Sequence, residues 1–182
     1  LRLFAERPIA SVSVQDITDA ADVAKGVFYL HFENRDAFLL SLDRDQQEVL
    51  LALLEATTAP KNGDRPLIAR TARGYARFAS DHRASAIYWW RFAGLLPDEV
   101  GAPDHLREVR EAYLARLAAW LLPASRRSAA SIQHAARIDA VAWGLIGQAL
   151  QRGEPTPTER TLRTVLGAIP SAAGKENPRP AR

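Results

Sequence analysis

The sequence predicts an all-α protein. A helix-turn-helix head with a truncated first helix covers residues 1–45, a larger helical body covers 46–170, and a disordered tail covers 171–182. Three observations carry this. Apolar residues recur every three or four positions along most of the chain, while the period-two alternation of strands is scarce. Proline- and glycine-bearing breaks separate the helical stretches. Between residues 13 and 32 a capped short helix, a tight turn and a second short helix follow one another without a spare residue.

The elements can be justified in order. LRLFAER is an amphipathic helix already in progress, and the chain contains no methionine, so a preceding piece is expected. Ser13 stands where an N-cap belongs, with its hydroxyl placed to accept from the backbone N–H of Asp16 and the Asp16 carboxylate at the positive helix end. Ile17, Ala20 and Ala21 are expected to face inward. Asp22-Val23 makes the turn, with Val23 plugging the corner. In the second helix, about 24–32, Phe28 and Phe32 are four apart and must point into the core together. That leaves Gly26, Val27 and Leu30 outward, flanked by Lys25, Tyr29 and His31. The next helix starts near Asn34 and runs through SLDRDQQEVLLALLEA.

TAPKNGDRP breaks that helix, and LIARTARGYARFAS resumes the pattern at Ile68, Ala72, Tyr75 and Ala79. ASAIYWWRFAGLL is short and aromatic, with Trp89 and Phe92 sharing a side from which Tyr88 and Trp90 diverge. LPDEVGAPD is a loop. LREVREAYLARLAAWLL has a clear stripe at Leu106, Val109, Tyr113, Leu117 and Trp120. After LPASRRS, the stretch AVAWGLIGQAL is apolar almost all round, and such a helix must be covered on all sides. TLRTVLGAI then presents Leu162, Val165, Leu166 and Ile169. Spare apolar surface on these last two helices points to self-association through Trp143, Ile146, Leu150, Leu162, Val165 and Leu166. The alternative is that they fill the monomer core. PSAAGKENPRPAR is polar and rich in proline, and so too poor in apolar surface to order itself.

Apolar content of 47% with 25% charge is that of a soluble protein. No stretch approaches the roughly 20 apolar residues that span a bilayer, and no signal peptide is visible. The absence of cysteine excludes disulfides and thiolate metal sites and fits a reducing cytoplasm. The four histidines show no metal-ligand spacing. No phosphate loop, GxSxG or cysteine nucleophile is present, so neither an enzyme nor a cofactor is expected. Net charge is +3, yet residues 1–50 carry five basic and nine acidic side chains. Phosphate binding by the head must therefore rest on a few placed donors.

The outward set of the second short helix suits a DNA groove. Gly26 lets backbone approach closely, Val27 and Leu30 can touch thymine methyl groups, and Lys25, Tyr29 and His31 can donate to phosphates. Ser13 and Arg35 join the candidate contacts, Arg35 at a helix start with free N–H groups. In the body, Tyr75, Trp89, Phe92, Tyr113 and Trp143 are the candidates for lining an apolar pocket.

The stretch from Leu1 to Leu42 resembles the DNA-binding region of TetR-family transcriptional regulators. The carrying residues are Phe4, Ser13-Val14, Asp16-Ile17, Ala20-Ala21, Val23, Lys25-Gly26, Tyr29, His31-Phe32 and the Asn34–Ala37 opening of the next helix. The resemblance implies an all-α homodimer that binds a palindromic double-stranded operator through its third helix. It implies repression relieved by a small, largely apolar effector in the C-terminal domain, and a dimer contact through the last two helices. Where the family usually has glycine in the turn this chain has Asp22, and where it has a serine or threonine cap this chain has Ala24. The competing expectation is a helical ligand- or protein-binding module with a vestigial head.

Overall fold

The computed structural model describes residues 1–58, 67–93, 104–121 and 129–170, the side chains at 58, 91–93 and 104–108 excepted. The tail 171–182, the side chain of the candidate Phe92 and, apart from Thr58 and Asp104 at their ends, the three expected linkers lie outside the described residues. Every regular element among the described residues is helical: α1 (Arg2–Glu6), a 3-10 turn (Ile9–Ser11), α2 (Val14–Ala20), α3 (Lys25–His31), α4 (Arg35–Thr58), α5 (Leu67–Asp81), α6 (Arg83–Ala93), α7 (Asp104–Leu121), α8 (Ala129–Arg152) and α9 (Glu159–Gly167). Helix α4 runs unbroken across the expected head–body boundary at 45/46, so the two parts share an element.

Helix α2 starts where Ser13 caps it. The Ser13 hydroxyl accepts from Asp16 N (3.1 Å) and the Asp16 carboxylate accepts from Ser13 N (2.7 Å), a complete capping box. Arg7 adds an ion pair to Asp16 at 2.6 Å. These two neighbours, Arg7 first, hold the Asp16 carboxyl well below the usual carboxylate range. The inward face of α2 differs from the sequence expectation. Ile17 is buried as expected, but its companion is Thr18, whose hydroxyl bonds back to Val14 and Gln15 carbonyls. Ala20 and Ala21 are exposed, because the helix ends before they reach the interior.

The turn after α2 is a Schellman motif. Val23 N donates to Thr18 O (3.0 Å) and Asp22 N to Asp19 O (3.2 Å). Asp22 carries φ 53°, the left-handed conformation that glycine adopts without cost. Val23 does not plug the corner. Its side chain is exposed, and the backbone bond to Thr18 does the sealing. Helix α8 ends on the same device, with Gly153 at φ 69°, Glu154 N on Ala149 O and Gly153 N on Leu150 O.

Two apolar clusters result. The head core gathers Phe4, Ile9, Val12, Ile17, Phe28 and Leu39, with Phe32 and Phe38 packed on it. It also holds Tyr88 of α6, whose ring meets Phe4 edge-on at 5.6 Å and whose hydroxyl donates to Leu39 O. The body core runs from Leu50 and Leu54 of α4 through α5 to Ile138, Ile146, Leu162 and Leu166. Helix α5 packs between α4 and α9, and α7 packs on α8. Gly74 lets α5 close on α4, since a Cβ there would stand 2.5 Å from Leu54 Cδ2.

Candidate functional site

Helix α3 is held by one side and bare on the other. Phe28 is buried against Phe32, Tyr29 and Phe38. The opposite edge projects: Val27 is 40% exposed, Tyr29 52% and Leu30 81%. Nothing lies within 4 Å of where a Gly26 Cβ would be. Lys25 and His31 are exposed beside them. Val27, Tyr29 and Leu30 thus stand together in solvent on one edge of the helix. As Ala24 implies, α3 has no side-chain N-cap bond.

Two candidates are drawn into the scaffold instead. The Ser13 hydroxyl is occupied by its capping box. Arg35 is turned inward: Nε donates to Val12 O (2.7 Å) and Nη2 to Ile9 O, with Asp36 beside Nη1. Its guanidinium satisfies carbonyls of the 3-10 turn and straps α4 to the front of α2, so Arg35 is not placed as a phosphate donor. Sequence spacing could not show this, because the carbonyls are 23 and 26 residues away.

In the body, four of the five pocket candidates come together. Trp89 meets Tyr113 at 5.3 Å and stacks on Trp143 at 5.8 Å, and Tyr75 meets Trp143 at 6.1 Å. All four are buried. Their organising centre is a residue that the sequence analysis missed, Asp139 of α8, which is fully buried. Its Oδ1 accepts from Tyr75 and Tyr113 hydroxyls, each at 2.7 Å, and its Oδ2 accepts from Arg110 Nη2 at 2.6 Å. The Arg110 guanidinium also lies 5.4 Å over the Tyr113 ring. Burial, then the Asp139 charge, pushes both tyrosine hydroxyls well above their ordinary range. Burial acts to lower Arg110, but Asp139 overrides it, so the guanidinium is held charged. The available signal was the lone carboxylate of α8, immediately before its apolar run.

A groove of about 380 Å³ opens between α4 and α7, lined by Arg44, Gln47, Glu48, Val109, Ala112, Tyr113 and Arg116. Arg116 and Glu48 form an ion pair on it. Tyr113 thus belongs to both the groove and the aromatic cluster.

The expected self-association residues require correction. Trp143, Ile146, Leu162 and Leu166 are buried within the single chain, where they complete the body core. Leu150 and Val165 are half-buried. Helix α8 is not covered all round: Ala140, Gly144 and Gln148 form an exposed stripe. Periodicity identified residues sharing a face, but α5 over α9, and α6 and α7 over α8, supply the cover that a second copy was expected to give.

Residues 1–42 match the family model described as bacterial regulatory proteins, tetR family. The chain is 41% identical over 63 residues to the HTH-type transcriptional repressor DhaR of Mycobacterium sp. (strain GP1), a match spanning 32% of this chain and 32% of DhaR. It is 28% identical over 138 residues to the HTH-type transcriptional repressor KstR2 of Rhodococcus jostii, covering 74% of this chain and 68% of that one. Its fold is that of a TetR-family member of known structure from Streptomyces coelicolor A3, with a TM-score of 0.70 at 24% identity over 92% of this chain and 91% of that one.

Proposed function

We propose that this chain, a TetR-family transcriptional regulator, is a repressor that binds a palindromic operator as a homodimer and lets go when a small, largely apolar effector enters its body. One observation carries the reading: the bare edge of α3, where Val27, Tyr29 and Leu30 stand in solvent beside Lys25 and Gly26. Such an edge fits a major groove, with Val27 and Leu30 against base methyl groups and Lys25, Tyr29 and His31 on phosphates. Two relatives are named repressors, which supports repression.

The second copy would dock on the outer faces of α8 and α9, around Ala140, Gly144, Leu150 and Val165. Two heads would then meet half-sites about 34–36 Å apart, or a multiple of that spacing. Effector binding would act through α4, which carries the head at one end and walls the Tyr113 groove at the other. The coupling needed is a difference in effector affinity between two head spacings, typically ~1–3 kcal/mol.

The test is operator binding by fluorescence anisotropy, using DNA from upstream of the gene itself, across a salt series. Lys25→Ala with Tyr29→Ala should weaken binding to all sequences and flatten the salt dependence. Unchanged affinity would remove α3 from the interface.

A further inference from the structure

The groove between α4 and α7 has two unlike walls. On α7, Val109, Ala112, Tyr113 and Arg116 fall at i, i+3, i+4 and i+7, one face of the helix, and all four line the space. Val109 and Tyr113 are buried and back the groove, while Ala112 stands exposed at its rim. On α4, Arg44, Gln47 and Glu48 line it at i, i+3 and i+4. The α7 wall is thus apolar until its last member, and the α4 wall is polar throughout. At about 380 Å³ the space has the size of a small-molecule site.

The walls are fixed before anything enters. The Tyr113 hydroxyl donates to Asp139 at 2.7 Å, and the Arg110 guanidinium lies over its ring. Gln47 Nε2 donates to Asp43 at 2.9 Å. Arg116 grips both carboxylate oxygens of Glu48 and so ties α7 to α4 at one end of the groove. A site held ready in this way loses little freedom when it is filled.

One lining group is left with nothing to hold. The exposed Arg44 guanidinium makes no hydrogen bond or ion pair with another described residue. Its charge reaches Asp43, but that carboxylate is buried, accepts from Gln47 and is not part of the lining. Arg116 and Glu48 cancel, so the lining carries one net positive charge, at Arg44. Arg44 and Glu48 are four residues apart, about 6 Å along the helix, which leaves room for an apolar frame between the free cation and the closed end. A cationic guest would meet Arg44 and find Glu48 already bound. A dianion would bring more charge than the lining opposes. A neutral guest would leave the guanidinium fork unused, although that fork matches a carboxylate with two parallel hydrogen bonds.

We propose that the groove takes an amphipathic monoanion, its carboxylate-type group on Arg44 and its apolar frame along Val109, Ala112 and Tyr113. That this molecule is the effector rests on the function proposed above, in which α4 carries the signal to the head. The experiment uses three probes of one frame and different charge: 2-naphthoate, 2-naphthamide and 2-naphthylmethylammonium. Each is titrated into the full chain by calorimetry, and the naphthoate also into the chain bound to its upstream DNA, followed by anisotropy. The naphthoate should bind about tenfold tighter than the amide, and the ammonium weakest of all. Arg44→Gln should bring the naphthoate to the level of the amide and leave the amide unchanged. Ala112→Phe should fill the groove and weaken both. Arg44 and Ala112 are exposed, so neither substitution touches the core. Equal binding of naphthoate and amide, or a preference that survives Arg44→Gln, overturns the anion on Arg44. Affinities untouched by Ala112→Phe overturn the groove as the site, and binding by none of the three overturns the proposal outright. Naphthoate that binds as expected yet leaves DNA affinity unaltered upholds the groove's ligand and overturns only its role as effector.

Discussion

The hydroxyl of Tyr75 on α5 donates to Oδ1 of Asp139 on α8 at 2.7 Å, across 64 residues of sequence. With Tyr113 and Arg110 on the same carboxylate, three helices converge on one buried charge. Removing that charge alone is the damaging change. Asp139→Ala would strand a buried guanidinium and two hydroxyls, at about 3–5 kcal/mol. Replacing both ions by apolar residues, Arg110→Met with Asp139→Leu, should recover most of the loss, because the unpaired charge goes with its partner. Urea midpoints of the unaltered chain and the two variants test this. A double variant no more stable than Asp139→Ala would mean that the hydroxyls, not the ion pair, set the cost.

A second relationship is steric. A Cβ on Gly147 of α8 would stand 2.0 Å from Trp90 Nε1, so α6 and α8 close over an indole that needs a glycine beneath it. Gly147→Ala should displace Trp90 and cost about 1–3 kcal/mol by overpacking. Trp90→Leu in the same chain should lessen that cost by freeing the space. Thermal unfolding of the single and double variants is the measurement, with tryptophan emission reporting the displaced ring. An undiminished melting temperature in Gly147→Ala would show that the indole swings aside freely.

The head was more legible in the sequence than the body, for a physical reason. Ser13 with Asp16, and Phe28 with Phe32, act at three- and four-residue spacings, so the amino-acid order displays them directly. The outward placement of Gly26, Val27 and Leu30 follows from the phenylalanines. Arg35 escaped because its partners, Ile9 and Val12, come close only after the chain has turned twice. Asp139 escaped likewise, since neither Arg110 nor Tyr75 lies near it in sequence. Leu162 and Leu166 show a different limit. Their spacing states that they share a face, while only the docking of α9 on α5 states what covers it.

Arg35 and Lys25 should separate cleanly in the salt dependence of operator binding. Lys25 is exposed on α3, so Lys25→Ala should lower the slope of log affinity against log salt by about 1. Arg35 spends its donors on Val12 and Ile9 carbonyls. Arg35→Ala should leave the slope unaltered and destabilise the head by about 1–3 kcal/mol through the orphaned carbonyls. A slope that falls with Arg35→Ala would return Arg35 to the phosphate contacts.

The turn and the α3 cap leave room for stabilisation. Asp22 holds φ 53°, a conformation costing a non-glycine residue roughly 1–2 kcal/mol, so Asp22→Gly should raise stability by up to about 1 kcal/mol after the entropy cost of glycine. Ala24 sits extended at the N-cap of α3 with no side-chain bond. Ala24→Ser should supply an acceptor for the first-turn N–H groups and add about 0.5–2 kcal/mol. Both gains should appear as slower amide exchange across α3. Unchanged exchange in Ala24→Ser would mean that packing at Phe28, not the cap, limits that helix.

Asp43 gives the pH dependence a definite sign. Burial pushes its carboxyl up to about 6, against an opposing hydrogen bond from Gln47 Nε2 and the charge of Arg110. Below about pH 4 both folded and unfolded chains hold this proton, and Asp43 contributes nothing. Between about 4 and 6 the unfolded chain releases it first, so folding becomes less favourable as pH rises. Above about 6 the penalty is complete, at about 3 kcal/mol. Asp43→Asn keeps an acceptor for Gln47 and removes the titration. Its stability gain over the unaltered chain should be small at pH 4 and approach that figure at pH 7.5. The difference between the two chains isolates Asp43 from carboxylates such as Asp16, whose lowered range acts in the opposite sense. Urea unfolding at the two pH values is the check, and a gain independent of pH would show that Asp43 stays ionised throughout.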